Sequence, residues 1–357
     1  HVASAAVQRR AQHREIGLER YLQLAGEQQR PALFGGVVMP NAHFYVRNHF
    51  DTPEIEMSSW RLSVDGFVSE PGQLNFDDVK RLPKYTSTIT LECAGNNRSD
   101  LEPPTPGNQF QEGAVSTAVW AGAALKDILE EAGIEPGARQ VLFEGADSGT
   151  PVPGGPEMSY LRSLPMEVAM HPDTLVAYEM NGEELPIEHG YPLRLVVPGW
   201  YGMASVKWLS GIKVIDYEFE GFFQTDRYVI ENDDGVWEQI KEMSTKSLIS
   251  SPAGGEVLAN KPTCVAGMAW SGNAQIKNVE FSSDGGQTWE QATLTGPSER
   301  YAWQQWHMTW TPPASGHYTL ACRATDRLGN VQPIKTRWNA GGYVVNGVRP
   351  VSVTVAA

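Results

Sequence analysis

The sequence predicts an α+β protein in which a mixed α/β domain, residues 31–238, precedes an all-β sandwich, residues 239–357. In the first region, strand-like alternation is interrupted by short segments with helical periodicity. Beyond residue 240, short strands and turn signals recur roughly every 8–12 residues, which is typical of an antiparallel sandwich. The charge also changes there: residues 1–239 carry 35 acidic and 18 basic side chains, and residues 240–357 carry 7 and 10. Residues 1–30 are polar and are predicted to form an N-terminal arm.

Composition argues against several classes of protein. The formal net charge of −14 disfavours nucleic-acid binding, which requires a basic surface. The chain has no apolar run of the roughly 20 residues that a membrane-spanning helix needs. Three cysteines are too few for a disulfide framework, and Cys264 and Cys322 are either two core thiols or one disulfide. Because the chain begins with His, an export signal could have been removed, and we favour a periplasmic over a cytoplasmic location.

Several elements are expected in the first half of the chain. Residues 15–25 can form a helix, and apolar Phe44 and Val46 are expected to carry Arg47, Asn48 and His49 to a strand end. Strands are predicted over residues 60–66 and 86–91, with a short capped helix over residues 75–82 between them. The second strand ends at Cys93, because Gly95, Asn96 and Asn97 follow it directly.

The remaining elements divide into two groups. Residues 125–132 are predicted to be a helix closed by Gly133, and residues 141–145 a buried strand that leads to Asp147. The Gly- and Pro-rich residues 145–165 are expected to form a long functional loop. A strand over residues 175–180 ends in the tight turn Asn181-Gly182. In the second domain, strands are expected over residues 263–270, 276–282, 288–294, 301–310, 317–325 and 351–355.

Cys93 allows three interpretations from its surroundings alone. It could be a buried core thiol, a nucleophile or a metal ligand. No second Cys or His lies at ligand spacing, which disfavours zinc. A soft metal with one protein thiolate and cofactor ligands is compatible with the sequence.

A set of polar side chains lies at predicted strand ends or in Gly- and Pro-rich loops of the acidic first region. It comprises Arg47, His49, Cys93, Arg98, Asp147, His189, Arg194, Lys207 and Tyr228. If these residues converge, they form a basic pocket within an acidic domain. Such a pocket would attract anions, because arginine recognises oxyanions in a bidentate way and lysine adds a point charge. The sequence therefore predicts a phosphate-bearing cofactor, and a small oxyanion substrate is the second interpretation of the same cations.

Five segments of the first region together resemble the sulfite oxidase family of molybdopterin enzymes. They are Arg47-Asn48-His49, residues 91–96 (LECAGN), residues 177–182 (AYEMNG), residues 189–194 (HGYPLR) and residues 206–208 (VKW). In the second region, residues 269–272, 279–286 and 323–330 resemble the immunoglobulin-like dimerisation domain of that family. The resemblance covers roughly residues 35–350, with the motifs in family order.

The resemblance implies a role for each matching residue. Cys93 would be the single protein thiolate on molybdenum, and Arg47, Arg98 and Tyr228 would line the substrate pocket, with Arg300 as an arginine contributed by the second domain. The molybdopterin and its phosphate would be held by Tyr45, Val46, Arg47, Asn48, His49, Asp147, His189, Arg194, Ser205, Val206 and Lys207. Asn97 departs from the residues that many members have at that position.

The activity implied is oxidation of sulfite to sulfate by oxygen-atom transfer, in a homodimer that passes electrons to an external acceptor such as cytochrome c. No His-Pro-Gly-Gly haem-binding segment occurs in these 357 residues, so no haem is expected in this chain. Sulfoxide reduction, nitrate reduction and sulfane oxidation on the same cofactor are the alternatives. A non-enzymatic binding module and a cysteine-nucleophile hydrolase are two further hypotheses.

Overall fold

The computed structural model describes residues 36–357, and the predicted N-terminal arm and the helix over residues 15–25 lie outside that range. None of the helices described is long and apolar enough to span a membrane. The α-helices of this part of the chain are α1 (Phe76–Arg81), α2 (Leu125–Ala132) and α3 (Met166–Ala169).

The described part of the first region contains twelve strands. They are β1 (Leu62–Gly66), β2 (Gly72–Leu74), β3 (Lys84–Glu92), β4 (Val115–Ala124), β5 (Gln140–Gly149), β6 (Met158–Pro165), β7 (Leu175–Met180), β8 (Glu183–Glu184), β9 (Arg194–Val196), β10 (Leu209–Ile215), β11 (Val229–Glu231) and β12 (Trp237–Gln239). One sheet has the order β2-β1-β10-β5-β6, and a second has the order β3-β4-β7-β8 with β9 paired to β7. Strands β11 and β12 form a separate hairpin.

The two longer helices form where local sequence signals agree with packing. Helix α1 begins with a capping box, in which the Asn75 side chain accepts from the Asp78 amide and the Asp78 carboxylate accepts from the Asn75 amide. Helix α2 buries Leu125, Ile128 and Leu129 on one face. It ends at Gly133, whose φ of 69° is the left-handed conformation that glycine adopts without strain. Both predicted helices are confirmed.

The second region contains nine strands. They are β13 (Lys246–Ser251), β14 (Val257–Leu258), β15 (Thr263–Trp270), β16 (Ile276–Ser282), β17 (Glu290–Gln291), β18 (Thr293–Thr295), β19 (Gln304–Trp310), β20 (Gly316–Asp326) and β21 (Val351–Val355). They form two sheets with the orders β13-β15-β19-β18 and β14-β21-β20-β16-β17. Val265, Trp306 and Phe281 are buried in the core of this region. The predicted order of a mixed α/β domain followed by an all-β sandwich is confirmed.

Three local predictions differ from the structure. The long loop over residues 145–165 is wrong, because β5 continues to Gly149 and β6 begins at Met158, so that the Gly- and Pro-rich connection is only residues 150–157. Phe44 to Val46 form no strand; the Tyr45 amide donates instead to Ser116 Oγ at 3.2 Å. Cys264 and Cys322 are free thiols, the first exposed and the second buried.

Strand β3 also contacts the second region near its C-terminal end. The Thr90 amide donates to the Tyr301 carbonyl at 2.8 Å, and Thr90 Oγ1 accepts from the Trp303 amide at 2.8 Å. Trp303 is buried in the same core as the first region. The strand that ends at Cys93 is therefore held from both sides.

Candidate active site

A cavity in the first region collects most of the predicted site residues. It is lined by Tyr45, Arg47, Asn48, His49, Cys93, Ala94, Asp147, Tyr160, His189, Arg194, Gly202, Met203, Ser205, Lys207, Trp208 and Tyr228. These residues come from loops and strand ends of both sheets.

Cys93 lies at the wall of this cavity in the turn that follows β3. Its amide donates to the Ala114 carbonyl at 2.9 Å, and its carbonyl accepts from the Asn96 amide at 2.9 Å. Within residues 36–357, no group of three or more His, Cys, Asp or Glu side chains is arranged to hold a metal ion. Cys93 offers the cavity one soft ligand, which is what a metal with cofactor ligands would take from the protein.

His49 and Tyr228 form a hydrogen-bonded pair on the cavity wall, with 2.6 Å between Nε2 and the phenolic oxygen. Burial, reinforced by the positive charges of Arg47, Lys207 and Arg162, lowers the pKa of His49 well below its usual value. The ring is therefore neutral, and its tautomer decides whether His49 Nε2 or the Tyr228 hydroxyl donates this hydrogen bond. Burial raises the pKa of Tyr228 to about 12, so this hydroxyl keeps its proton at neutral pH.

Three nitrogen-bearing side chains lie at what we call the inner end of the cavity: His189, Arg194 and Lys207. Lys207 Nζ donates to the Glu188 carbonyl at 2.8 Å and to Asn48 Oδ1. Burial, followed by the charge of Arg194, lowers the pKa of Lys207 well below its usual value. Burial likewise lowers the pKa of Arg194 to about 10. These cations are desolvated and destabilise one another.

His189 and Arg194 complete the inner end. Burial lowers the pKa of His189 to about 3, and its Nε2 donates to the Asn41 carbonyl at 3.0 Å. Arg194 Nη1 donates to the His189 carbonyl at 3.2 Å, but its Nε has no hydrogen-bond partner among the described residues. A buried donor without an acceptor is costly, so this nitrogen points to a ligand that supplies one.

Asp147 is the carboxylate of the cavity lining, and burial raises its pKa to about 6. Arg47, Arg194 and Lys207 thus outnumber the negative charge around them. The lining has an excess of donors and positive charge, which fits an anionic ligand.

Two predicted arginines do not line the cavity. Arg98 is buried at its outer side, where Nε, Nη1 and Nη2 donate to the carbonyls of Gly342, Asn108 and Gly341 at 3.0, 3.1 and 3.3 Å. Arg300 lines a different cavity and approaches Asp173 at 3.7 Å. The structure therefore does not bring Arg300 to this cavity, because Arg300 lies in the loop between β18 and β19, beside the end of β3 that is farther from Cys93.

Val46 and Val206 also do not line the cavity, although the residues on either side of each do. Val206 is instead buried in the core, and its carbonyl accepts from the Leu195 amide at 2.9 Å. Their backbones hold neighbouring site residues in place.

Several lining residues were not found by sequence reasoning. Tyr160 stacks on His49 with 4.5 Å between ring centroids, and its hydroxyl donates to the Met203 carbonyl at 2.7 Å. It was missed because residues 145–165 were assigned to a loop. Gly202 was also missed: a Cβ there would lie 2.5 Å from the Tyr45 hydroxyl, so a larger residue would displace the Tyr45 side chain.

Comparison with known proteins places this chain in a family. Residues 49–223 match the family model described as oxidoreductase molybdopterin binding domain, and residues 237–355 match the Mo-co oxidoreductase dimerisation domain. Sulfite oxidase of Arabidopsis thaliana is 35% identical over 352 residues, which cover 89% of this chain and 88% of that protein. The chain belongs to the sulfite oxidase family.

Two further relatives of this sulfite oxidase family member define the extent of the likeness. Mitochondrial sulfite oxidase of Mus musculus is 36% identical over 90% of this chain, and the match spans 62% of the mouse protein. The crystal structure of the sulfane dehydrogenase SoxCD from Paracoccus pantotrophus has a TM-score of 0.79 at 32% identity, covering 90% of this chain and 82% of that one. The resemblance identified from the sequence motifs is confirmed.

The cavity fits the molybdopterin cofactor that this family membership implies. That group carries a phosphate and a dithiolene-bound metal, so it needs a cationic end and a soft ligand. Lys207 and Arg194 supply the cationic end, and Arg194 Nε has no hydrogen-bond partner among the described residues. Cys93 supplies the soft ligand.

Proposed function

We propose that this chain is a molybdenum-dependent oxidoreductase that oxidises sulfite to sulfate by oxygen-atom transfer and passes the electrons to an external acceptor such as cytochrome c. The observation that carries the proposal is the presence of the Cys93 thiol, Arg47 and Tyr228 in one cavity with a strongly cationic inner end. The family membership supports it, since the relatives reported above include sulfite oxidases.

The residues of the inner end would hold the cofactor. Lys207 and Arg194 would bind its phosphate, and Cys93 would ligate its molybdenum. When bound, the cofactor supplies the oxygen-atom and two-electron chemistry that side chains cannot perform.

The remaining wall of the cavity would handle the substrate. The Arg47 guanidinium would attract and orient an oxyanion beside Cys93. Neutral His49, in the tautomer that carries its proton on Nε2, would donate to the Tyr228 oxygen, and the Tyr228 hydroxyl would then donate its own proton to an oxygen of the substrate. Burial of Tyr228 excludes water from its hydroxyl, which strengthens this contact.

The proposal is tested by replacing Cys93 with Ser and measuring sulfite oxidation with ferricyanide as acceptor. We expect turnover to fall to background while the far-ultraviolet circular dichroism stays unchanged. Cys264→Ser is the control, because that cysteine is exposed in the second region and should leave turnover unchanged. Full sulfite oxidation by Cys93→Ser would contradict the assignment.

Sulfane oxidation is a second candidate. It is favoured because neither Arg98 nor Arg300 lines the cavity, so the predicted three-arginine pocket for a small dianion is reduced to Arg47 near Cys93. The structural likeness to a sulfane dehydrogenase also supports it. Assay of the purified protein with sulfite, thiosulfate, a sulfoxide and nitrate distinguishes these substrates.

We further propose that the protein is a homodimer formed through residues 237–355, which match a dimerisation domain. Sedimentation of the purified chain tests this proposal. A mass of about 39 kDa, that of one chain, would contradict it.

A further inference from the structure

Glu92, the last residue of β3, is a charged side chain that the proposed chemistry does not use. Because successive side chains of a strand point to opposite faces, Glu92 points away from the cavity that Cys93 lines. It is 1% exposed. Oε1 accepts hydrogen bonds from Lys246 Nζ at 2.8 Å and from Asn96 Nδ2 at 2.9 Å, and Oε2 accepts from Trp270 Nε1 at 2.8 Å.

The two longer side chains in this cluster come from the second region. Lys246 begins β13 and Trp270 ends β15, and the two residues are directly paired across the sheet. Lys246 Nζ also lies 5.7 Å from the centre of the Trp270 ring. The edge of the sandwich thus presents one charged and one neutral donor to a single carboxylate.

Asn96 connects this cluster to the turn that carries Cys93. Its side-chain nitrogen donates to Glu92, and its Oδ1 accepts from the Ala114 amide at 3.1 Å. The Asn96 amide donates to the Cys93 carbonyl, and the Cys93 amide donates to the Ala114 carbonyl, both at 2.9 Å. The backbone of the Cys93–Asn96 turn is therefore linked to Glu92, either directly along the chain or through the Asn96 side chain.

A buried ion pair is seldom the most stabilising choice, because desolvation offsets much of the attraction. Apolar residues of similar volume would hold the two regions together equally well. What the carboxylate adds is direction: three donors converge on two oxygens, which fixes the end of β3 relative to the sandwich. Glu92 is absent from the cavity lining, so it touches neither substrate nor cofactor.

We propose that Glu92, Lys246 and Trp270 form an anchor between the two regions that fixes the position of the Cys93 sulfur. They are positioning residues, and their effect is exerted through the Cys93–Asn96 turn. The anchor makes the sandwich domain a determinant of the metal-ligand geometry, in addition to any role in dimerisation. It would act whichever substrate the enzyme oxidises.

The test compares Lys246→Met with a matched control in the same domain, Arg323→Met. Arg323 pairs with Glu280 at 2.7 Å in a partly buried site between β16 and β20, where it does not contact the Cys93 turn. Both variants are purified as the full chain with cofactor. Amide hydrogen exchange of residues 93–98, the visible absorption spectrum, and kcat and KM are measured for each.

We expect Lys246→Met to raise exchange over residues 93–98 by about tenfold or more, equivalent to about 1.4 kcal/mol of opening free energy. The visible band of the loaded protein should shift, and kcat should fall more than KM changes. Arg323→Met should leave the exchange of this segment within about twofold of wild type and leave the spectrum unchanged.

Two milder variants keep the proposal testable if Lys246→Met does not fold. Trp270→Phe removes one donor and keeps an aromatic ring. It should raise exchange over residues 93–98, shift the visible band and lower kcat, each by less than Lys246→Met does. The charge-neutral double variant Glu92→Gln with Lys246→Met should recover stability but not the wild-type spectrum. Unchanged exchange and spectrum in the variants that fold would overturn the proposal, as would an equal rise of exchange in every segment.

Discussion

The inner end of the cavity and its outer side differ in how far the hydrogen-bond donors of their cations are satisfied. At the inner end, Lys207 and Arg194 are buried close together, and Arg194 Nε lacks a partner among the described residues. At the outer side, Arg98 donates to three backbone carbonyls and lies 5.1 Å from the Tyr343 ring, which in turn lies 5.1 Å from the Tyr228 ring. One cluster has more donors than acceptors, whereas the other is satisfied by the protein itself.

This difference separates residues that bind the cofactor from residues that maintain the shape of the cavity wall. The inner cations destabilise the protein until an anion neutralises them, so part of the cofactor's binding energy repays that cost. Arg98 instead stabilises the turn at residues 339–343, which supports Tyr343 against Tyr228. We therefore expect changes at the inner end to alter cofactor retention, and changes at the outer side to alter stability and substrate handling.

The largest effect is expected for Lys207→Met. Loss of this buried charge should weaken cofactor retention roughly a thousandfold, about 4 kcal/mol, because a desolvated charge partner is removed. The same variant should be more stable than wild type when both lack cofactor. Molybdenum content after dialysis and urea unfolding measure the two effects. Lys213→Met, an exposed position on β10, is the control, and equal metal retention in the two variants would contradict the assignment.

Replacement of Arg98 by Met should act differently. It leaves three carbonyls without their donor and should destabilise the protein by about 3 kcal/mol, with a higher KM but normal molybdenum content. Arg227→Met removes an exposed arginine close to Tyr228 in sequence and should change stability little. Loss of molybdenum in Arg98→Met at unchanged stability would assign Arg98 to the inner cluster.

The pH dependence of stability tests the inner end a second way. The pKa of His189 falls from 6.5 to about 3 on folding. Between these two values the unfolded chain binds a proton at His189 and the folded chain does not. Its contribution opposes folding increasingly as pH falls below about 6.5. His189→Gln should therefore lose about 2 kcal/mol less unfolding free energy than wild type between about pH 6.5 and 4.5. Parallel curves from urea unfolding of the cofactor-free proteins would contradict a neutral buried imidazole.

The smallest effect is expected at Tyr343. Tyr343→Phe keeps the ring that packs on Arg98 and Tyr228, so kcat/KM should stay within about twofold of wild type. Tyr343→Ala removes the ring and should raise KM further. A Phe variant as impaired as the Ala variant would mean that the hydroxyl, not the ring, is what the site uses.

The sequence was most informative where function is concentrated in short motifs. Cys93, His189, Arg194 and Lys207 were found because each follows a strand or lies in a recognisable motif, and all line one cavity. Tyr160 was missed because the Gly- and Pro-rich residues before β6 indicated a loop. Residues of β6 are in fact held in a strand by pairing with β5. Arg98 and Arg300 were assigned to the pocket by motif alone, yet their directions depend on the carbonyls of residues 341 and 342 and on Asp173. Such long-range partners carry no local signal.

The central claim is that Cys93 ligates a molybdenum held in this cavity. The most direct measurement is the molybdenum and pterin content of the purified protein together with its visible spectrum, for wild type and Cys93→Ser. We predict about one molybdenum and one pterin per wild-type chain, and a visible thiolate-to-metal band that Cys93→Ser lacks. A wild-type protein loaded with cofactor whose spectrum is unchanged in Cys93→Ser would contradict the claim.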